Sequence, residues 1–410
     1  MFVNDPTAAL TDFLHDLGAP ALGVAVSGGG DSIALLRLAA AAGVPLRAVT
    51  VDHGLRPEAA DEARFVAALC ADLGVPHDTL RWNGWDGAGN LQDRARQARY
   101  RLVSEWAARH GLDCVALAHT QEDQAETLLM RLARRAGVDG LSAMRERMVS
   151  GVRFVRPLIG CARQDLRRYL QGLGQGWIED PSNADMAYER IRIRQQAAQL
   201  ADLGLTASAL SEVAQTLAQA RQALDWAVHR FAQQHLHMQG PDVRIDRAEF
   251  TALPPELQRR LLVGALCWLS GAGYAPRRQP VAQLLQAAAQ KQRMTLHGCV
   301  LTHRQGALYL HREYAAVTGE TAQPGQVWDG RFRLHGAAAA DVHIAAVGEN
   351  GLAALPNWRQ TGRPAAAVMA DPAVWQGQRL IAAPLSGFAS GWGVEPANGR
   401  QDCLSALLSH

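Results

Sequence analysis

Lysine is almost missing from this chain of 410 residues: of 41 basic side chains only Lys291 is a lysine, and all the others are arginines. Codon bias towards Arg, Ala and Gly accounts for that, although arginine's fixed charge and forked donors also suit phosphate. Cysteine is scattered. Its six copies, at 70, 114, 161, 267, 299 and 403, never lie closer together than 32 residues, which excludes C-x-x-C redox or zinc clusters and offers no disulfide framework. No run of about 18 apolar residues is present to span a bilayer, so no membrane partner is expected. The first ten residues carry Asp5 and no basic stretch, which argues against a secretory leader and makes the cytoplasm the expected compartment. Two common nucleotide fingerprints, G-x-x-x-x-G-K-S/T and G-x-G-x-x-G, are absent too.

What is present reads as a globular enzyme. At roughly 150 residues per domain the length suggests two or three domains, and 48% apolar with 20% charged residues is ordinary for such a chain. Up to about residue 130, short apolar runs alternate with amphipathic stretches. Strands are predicted at 21–26, 46–51, 77–82 and 114–118, with helices at 33–42, 58–73, 92–110 and 121–135. That alternation predicts an α/β fold with a doubly wound parallel sheet, whose ligands bind at the carboxyl ends of strands. Residues 137–176 look loop-rich with one short helix near 163–173. A turn cluster at 177–183 closes a first domain, 1–185. An α-rich second domain is expected over 186–310 and a small C-terminal α+β module over 311–410.

Charge is divided along the chain. Residues 1–130 hold ten arginines against seventeen acids, a net −7, whereas 131–200 hold thirteen arginines against seven acids, a net +6. Residues 201–310 carry +4 and 311–410 carry −1, so the overall +2 is a sum of opposed regions. A basic middle beside an acidic domain suits a polyanion laid across it, with its reactive end reaching the first domain.

The most specific signal is a strand followed by Ser27-Gly28-Gly29-Gly30-Asp31-Ser32 and a helix. Glycines let backbone N–H groups approach an anion, and the helix start adds a partial positive charge. Ser27 and Ser32 supply hydroxyls. Asp31 would repel phosphate unless it holds a magnesium ion bridging to it. Asp52 and His53 end the second strand, a position expected near a nucleotide's ribose and base. His119 ends the fourth strand, and Asp123 and Glu126 follow at i and i+3 on one helical face, so two carboxylates aim at the same cleft. Thr120 with Asp123 also reads as a capping box, and a metal site on His119 and Asp123 is an alternative.

The loop Ser27-Gly28-Gly29-Gly30-Asp31-Ser32 resembles the S-G-G-x-D-S phosphate loop of the N-type ATP pyrophosphatases. Val51-Asp52-His53-Gly54-Leu55-Arg56, Ala98-Arg99-Tyr100, His119 to Thr127, Arg156-Pro157-Leu158 and Asp180-Pro181-Ser182-Asn183 follow in the order found in the tRNA(Ile)-lysidine synthetase family. The likeness is dense over 20–195, weaker through Thr295 to Cys299 and Arg312-Glu313, and thin beyond. It implies a PP-loop domain of the adenine nucleotide alpha hydrolase type. The implied substrates are ATP, L-lysine and tRNA(Ile), with Mg2+ held in part by Asp31 and no protein partner beyond a homodimer. The implied chemistry adenylates the wobble cytidine and then replaces AMP by lysine. Within it Ser27 to Ser32, Asp52 and His53 bind ATP, Asp31, Arg99 and His119 serve catalysis, and Asp123 and Glu126 recognise lysine. Arg190, Arg192 and Arg194 alternate and suit phosphate contact. Ile191 stands where the family usually has asparagine, and Glu122 where Asp or Asn is commoner. Competing readings are tRNA thiolation by the same loop, a small-molecule adenylating ligase, and a non-catalytic RNA-binding protein.

Overall fold

The computed structural model describes residues 5–54, 59–82, 91–179, 189–272, 274–337, 341–397 and 403–407. It divides into two compact units, Met1–Arg221 and Gln222–His410. The Asp180 to Asn183 motif, Leu55 and Arg56 lie outside the described residues.

The first unit opens with α1 (Pro6–Leu17), capped by the Asp5 side chain on Thr7 N–H, with proline in its first turn. β1 (Leu22–Ala25), α2 (Gly30–Ala41), β2 (Leu46–Asp52), α3 (Ala59–Asp72), β3 (His77–Arg81), α4 (Leu91–Arg109), β4 (Cys114–Ala116) and α5 (Gln121–Ala133) follow in strict alternation. The one-turn α6 (Val138–Leu141), β5 (Arg147–Val149), β6 (Val152–Val155) and α7 (Arg163–Gly172) complete the sheet layer. The sheet order is β3-β2-β1-β4-β6-β5, parallel except for β5. The chain leaves β1 to one side for β2 and β3 and returns to its other side at β4. That reversal opens a crevice above the β1 and β4 carboxyl ends.

Period-two alternation sorts the strands' side chains between two cores. Leu22, Val24, Cys114 and Ala116 pack with α1, α2, α3 and α7, whereas Val115, Leu117 and Phe154 pack with Val103 and Trp106 of α4. Gly23 is required on the α4 face, since a Cβ there would stand 3.0 Å from Val115 and 3.1 Å from Trp106. The β5–β6 hairpin was not legible as strands, being three and four residues long. Its turn, Ser150 (φ 49°) and Gly151 (φ 84°), is the left-handed pair that a tight hairpin needs.

Beyond 188 come α8 (Glu189–Gln195), α9 (Ala197–Asp202) and the long α10 (Ala207–His235), whose last part belongs to the second unit. The helices expected over 186–310 are joined there by a sheet that the sequence did not reveal. β7 (Leu236–Gln239), β8 (Asp242–Asp246), β9 (Met294–Leu296), β10 (Cys299–Arg304) and β11 (Ala307–Arg312) form it in the order β7-β8-β11-β10-β9. Leu261, Leu262, Leu266 and Leu284, from α12 (Pro255–Ser270) and α13 (Arg278–Ala289), bury one face of it, and Phe250 of the short α11 (Arg247–Ala252) joins them.

The last hundred residues, which belong to the same second unit as the five-stranded sheet, add two three-stranded sheets. One is β12 (Val327–Trp328), β13 (Phe332–His335) and β17 (Gly393–Pro396); the other is β14 (Val342–Ala346), β15 (Pro372–Gln376) and β16 (Arg379–Ala382). Three short helices, α14 (Gly348–Ala354), α15 (Ala365–Met369) and α16 (Cys403–Leu407), accompany them. The Thr295 to Cys299 and Arg312-Glu313 resemblances resolve here into architecture. His297 (φ 58°) and Gly298 (φ 67°) make the β9–β10 turn, and Arg312 donates to Gly298 O at 2.7 Å and to both Asp329 oxygens at 2.9 and 2.7 Å. Among the described residues no helix is long and apolar enough to cross a membrane.

Candidate active site

The phosphate loop leaves β1 and enters α2 through Gly29, whose lack of a side chain leaves the helix start without a side-chain cap. The first-turn N–H groups other than that of Ser32, which donates to Gly29 O at 3.0 Å, are thus offered to a ligand. Ser32 Oγ donates to Gly29 O at 2.8 Å and accepts from Ser27 N–H at 3.1 Å, which cinches the loop. The glycines also have a second function that the sequence did not disclose. Gly28 has φ 88° and accepts the Ile178 N–H at 2.9 Å, and a Cβ on it would lie 2.9 Å from Ile178. A Cβ on Gly30 would lie 3.3 Å from the Trp177 ring. Residues 177–179 therefore lie over the loop.

A cleft of about 560 Å³ opens at the crevice and is lined by Ser27, Gly29, Gly30, Asp31 and Ser32. His53, Arg99, His119, Asp123, Arg163 and Arg194 line it as well. Its size falls within the ~300–1,000 Å³ usual for small-molecule sites. Asp52 is placed differently: its carboxylate accepts the Gly54 N–H at 2.8 Å and lies 3.9 Å from Arg81, so it shapes the turn that presents His53. Burial keeps the His53 imidazole below its ordinary value, with Arg99 adding to the effect. Burial likewise pushes His119 down to about 4, with Arg156 and Arg99 adding and Asp123 opposing. Both rings are neutral at pH 7, and the Nδ1 of each is buried without a protein partner. Orphaned atoms of this kind in a cleft mark where a ligand's polar groups belong.

At His119 the unfolded chain takes up a proton near pH 6.5 and the folded chain only near 4, so the residue's contribution to stability is lost as pH falls between them. His119→Asn is expected to flatten the fall of Tm between pH 6.5 and 4 relative to wild type, read by calorimetry. Parallel curves would contradict a buried neutral imidazole.

Asp123 serves two readings at once. Its Oδ2 accepts the Thr120 N–H at 2.9 Å, capping α5, while its Oδ1 accepts from Arg163 at 3.2 Å and lies 3.5 Å from Arg194. Burial would lift this carboxyl, yet Arg163 and Arg190 hold it below its ordinary value. Glu126 is buried and does not line the cleft. It pairs with Arg190 at 2.8 Å and with Arg194 at 2.5 Å, and burial raises it despite those partners. Arg190 and Arg194, expected on phosphate, therefore meet the carboxylate pair in this structure. Arg192 is exposed, and the departure Ile191 is buried.

Arg163 was not anticipated. It donates to Asp31 at 2.9 Å and joins the phosphate loop to Asp123. A signal existed, because a basic residue at the first position of a helix opposes the macrodipole and needs a partner elsewhere. Arg156 and Tyr100, from two separate motifs, also meet, at 3.4 Å. A second cleft of about 1070 Å³ shares Arg99, His119 and Arg194 with the first and is lined by ten arginines. Most of these come from the basic stretch 131–200. All six cysteines are buried, and burial lifts the Cys70, Cys114 and Cys161 thiols to about 11, so no nucleophilic thiol faces either cleft.

Comparison with known proteins gives a consistent picture. A family model described as a PP-loop domain matches residues 4–201. A tRNA(Ile)-lysidine synthase of Ruegeria pomeroyi is 49% identical over 394 residues, covering 95% of this chain and 94% of that protein. The tRNA(Ile)-lysidine synthase of Zymomonas mobilis is 39% identical over 255 residues, covering 61% of this chain and 76% of its own. That of Bradyrhizobium diazoefficiens is 44% identical over 272 residues, covering 63% and 75%.

Proposed function

The chain belongs to the PP-loop tRNA(Ile)-lysidine synthases, and from that premise we propose that it ligates free L-lysine to C2 of the wobble cytidine in tRNA(Ile) with a CAU anticodon. One observation carries the reading to this chain's own residues: the phosphate loop, two neutral histidines and the Asp123 carboxylate share one cleft at the β1/β4 reversal.

Two steps account for the groups. In the first, the cytosine O2 attacks the α-phosphate of ATP and the bond to pyrophosphate breaks. Loop N–H groups and the α2 start hold the phosphates, and Arg99 offsets charge that builds on the reacting phosphorus. Neutral His53 and His119 offer hydrogen bonds without adding charge. In the second, the ε-amine of lysine bonds to C2, the C2–O bond breaks, and AMP leaves with the oxygen. The ammonium must first lose a proton. Asp123, anionic and facing the cleft, binds and orients the ammonium, whose proton passes to water, while Glu126 acts through Arg190 and Arg194.

Magnesium suits this site, since the ion usually takes one or two carboxylates and completes its shell with phosphate oxygens and water. Asp31, lining the cleft at the helix start, is the carboxylate that would hold the ion, whose charge would offset that of the phosphates. The ten-arginine cleft is read as the path of the anticodon loop, and residues 186–310 and 311–410 as supports for the tRNA body. The buried thiols disfavour thiolation.

The test is incubation with ATP, labelled lysine and bulk tRNA. Label entering RNA with release of pyrophosphate is expected; active protein that leaves RNA unlabelled overturns the reading. Asp123→Asn is expected to lower kcat/KM for lysine about 10²-fold while changing pyrophosphate release only a few-fold. An equal loss in both steps would remove Asp123 from lysine recognition.

A further inference from the structure

Arg163 is the first residue of α7, and its own backbone fixes where its side chain starts. The Arg163 N–H donates to both oxygens of Glu122 at 3.1 and 2.9 Å, which hangs the start of α7 on the first turn of α5. Glu122, with its extra methylene, thus acts on the cleft through Arg163. The side chain then reaches forward, 19% exposed, and spreads its donors. Nε donates to Asp31 Oδ2 at 2.9 Å, and Nη2 donates to Asp123 Oδ1 at 3.2 Å and to Thr120 Oγ1 at 3.3 Å. A guanidinium edge commonly takes one carboxylate with both donors. Here the edge is divided between two carboxylates that belong to different elements and stand 92 positions apart in the chain. The separation of Asp31 from Asp123 is therefore set by the width of one planar group.

Charge makes the arrangement consequential. Burial lifts the Asp31 carboxyl, the nearby Asp123 and Glu122 add to the rise, and Arg163 is the cation that opposes this. Without it two partly buried carboxylates would face each other.

We propose that Arg163 is a positioning residue that holds the phosphate-loop Asp31 and the amine-side Asp123 at a set separation, and that it competes with a divalent cation for Asp31. This rests on the ATP-using reading above. The competition is a matter of charge: a cation on Asp31 must either share it with the guanidinium or displace it, and either lowers affinity for the ion in the absence of nucleotide. Arginine suits the task because its fork spans two acceptors at once, which a lysine ammonium on a flexible stem does not reproduce.

The experiment uses the full chain and Mn2+ alone, without nucleotide, with free Mn2+ read by electron paramagnetic resonance. Arg163→Gln is expected to bind Mn2+ about tenfold more tightly than wild type, a change of about 1.4 kcal/mol. Arg163→Lys should fall between the two, and adding Asp31→Asn to Arg163→Gln should abolish the gain. Equal Mn2+ affinity in wild type and Arg163→Gln, or a gain that survives Asp31→Asn, overturns the proposal. If Arg163→Gln does not fold, Arg163→Lys carries the test, with a gain of about threefold expected and none overturning it. A second readout separates positioning from mere scaffolding: Arg163→Gln should lower kcat for pyrophosphate release, with partial rescue in Arg163→Lys. Mn2+ binding does not depend on lysine transfer, so failure of wild type to label tRNA would sink the function while leaving this comparison standing.

Discussion

Asp31→Ala is expected to lower the rate of pyrophosphate release about 10³-fold, roughly 4 kcal/mol of barrier, while tRNA affinity and folding stay near wild type. The magnitude follows from what the residue touches. Asp31 stands in the first turn of α2, lines the cleft and pairs with Arg163 at 2.9 Å. On the reading above it is the carboxylate that would hold a magnesium ion, whose charge offsets that of the phosphates, and its removal also leaves Arg163 with one carboxylate fewer. Folding is spared because its side chain is 23% exposed and water can solvate what remains. Affinity for tRNA is spared because the arginine-lined cleft does not include Asp31. Pyrophosphate release and filter binding check the two halves, and undiminished lysine incorporation would overturn the site.

Arg363→Ala is expected to cost the second unit about 3–5 kcal/mol, because it strands two buried carboxylates. Arg363, 4% exposed, donates to Asp242 at 2.7 and 3.0 Å and to Asp371 at 2.5 and 2.8 Å. Tyr309 adds a bond to Asp242 at 2.6 Å and Ser386 one to Asp371 at 2.7 Å. Asp242 belongs to β8, whereas Asp371 and Ser386 flank β15 and β16, so within the second unit this network ties the sheet of β14–β16 to the five-stranded sheet. Faster hydrogen exchange of β8 and β15 amides measures the loss; unchanged exchange would show the network to be dispensable. Substituting both aspartates by asparagine together with Arg363→Met should recover part of the stability, since no buried charge would then lack its partner. The same network makes deletion of residues 311–410 a poor test of tRNA contact, because it exposes Asp242 and Tyr309 as well. Single substitutions of exposed arginines are the cleaner probe.

Much of the first unit was legible because its signals are local. Strand alternation, helix period and the glycine loop all operate within a few residues, so β1 to β4 and α2 to α5 lie within a few residues of where the pattern puts them. The β5–β6 hairpin was hidden by strands of three and four residues, and the five-stranded sheet by central strands buried on consecutive residues within a helix-rich stretch, so that no alternation marks them.

By itself the sequence determined the phosphate loop, the order of strand-end residues that meet above the sheet, the family, and the scattered cysteines that leave no redox centre. Tertiary structure alone decided that Arg163 spans Asp31 and Asp123, that Arg194 pairs with Glu126, that Trp177 and Ile178 cover the loop glycines, and that Arg363 clasps two aspartates. The physical reason is range. Periodicity reports which side of an element is buried, whereas an ion pair between residues 132, 68 or 121 positions apart depends on where two finished elements come to rest. Charge counts could say that arginines crowd the middle of the chain, but only packing paired Arg163, Arg190 and Arg194 with their carboxylates.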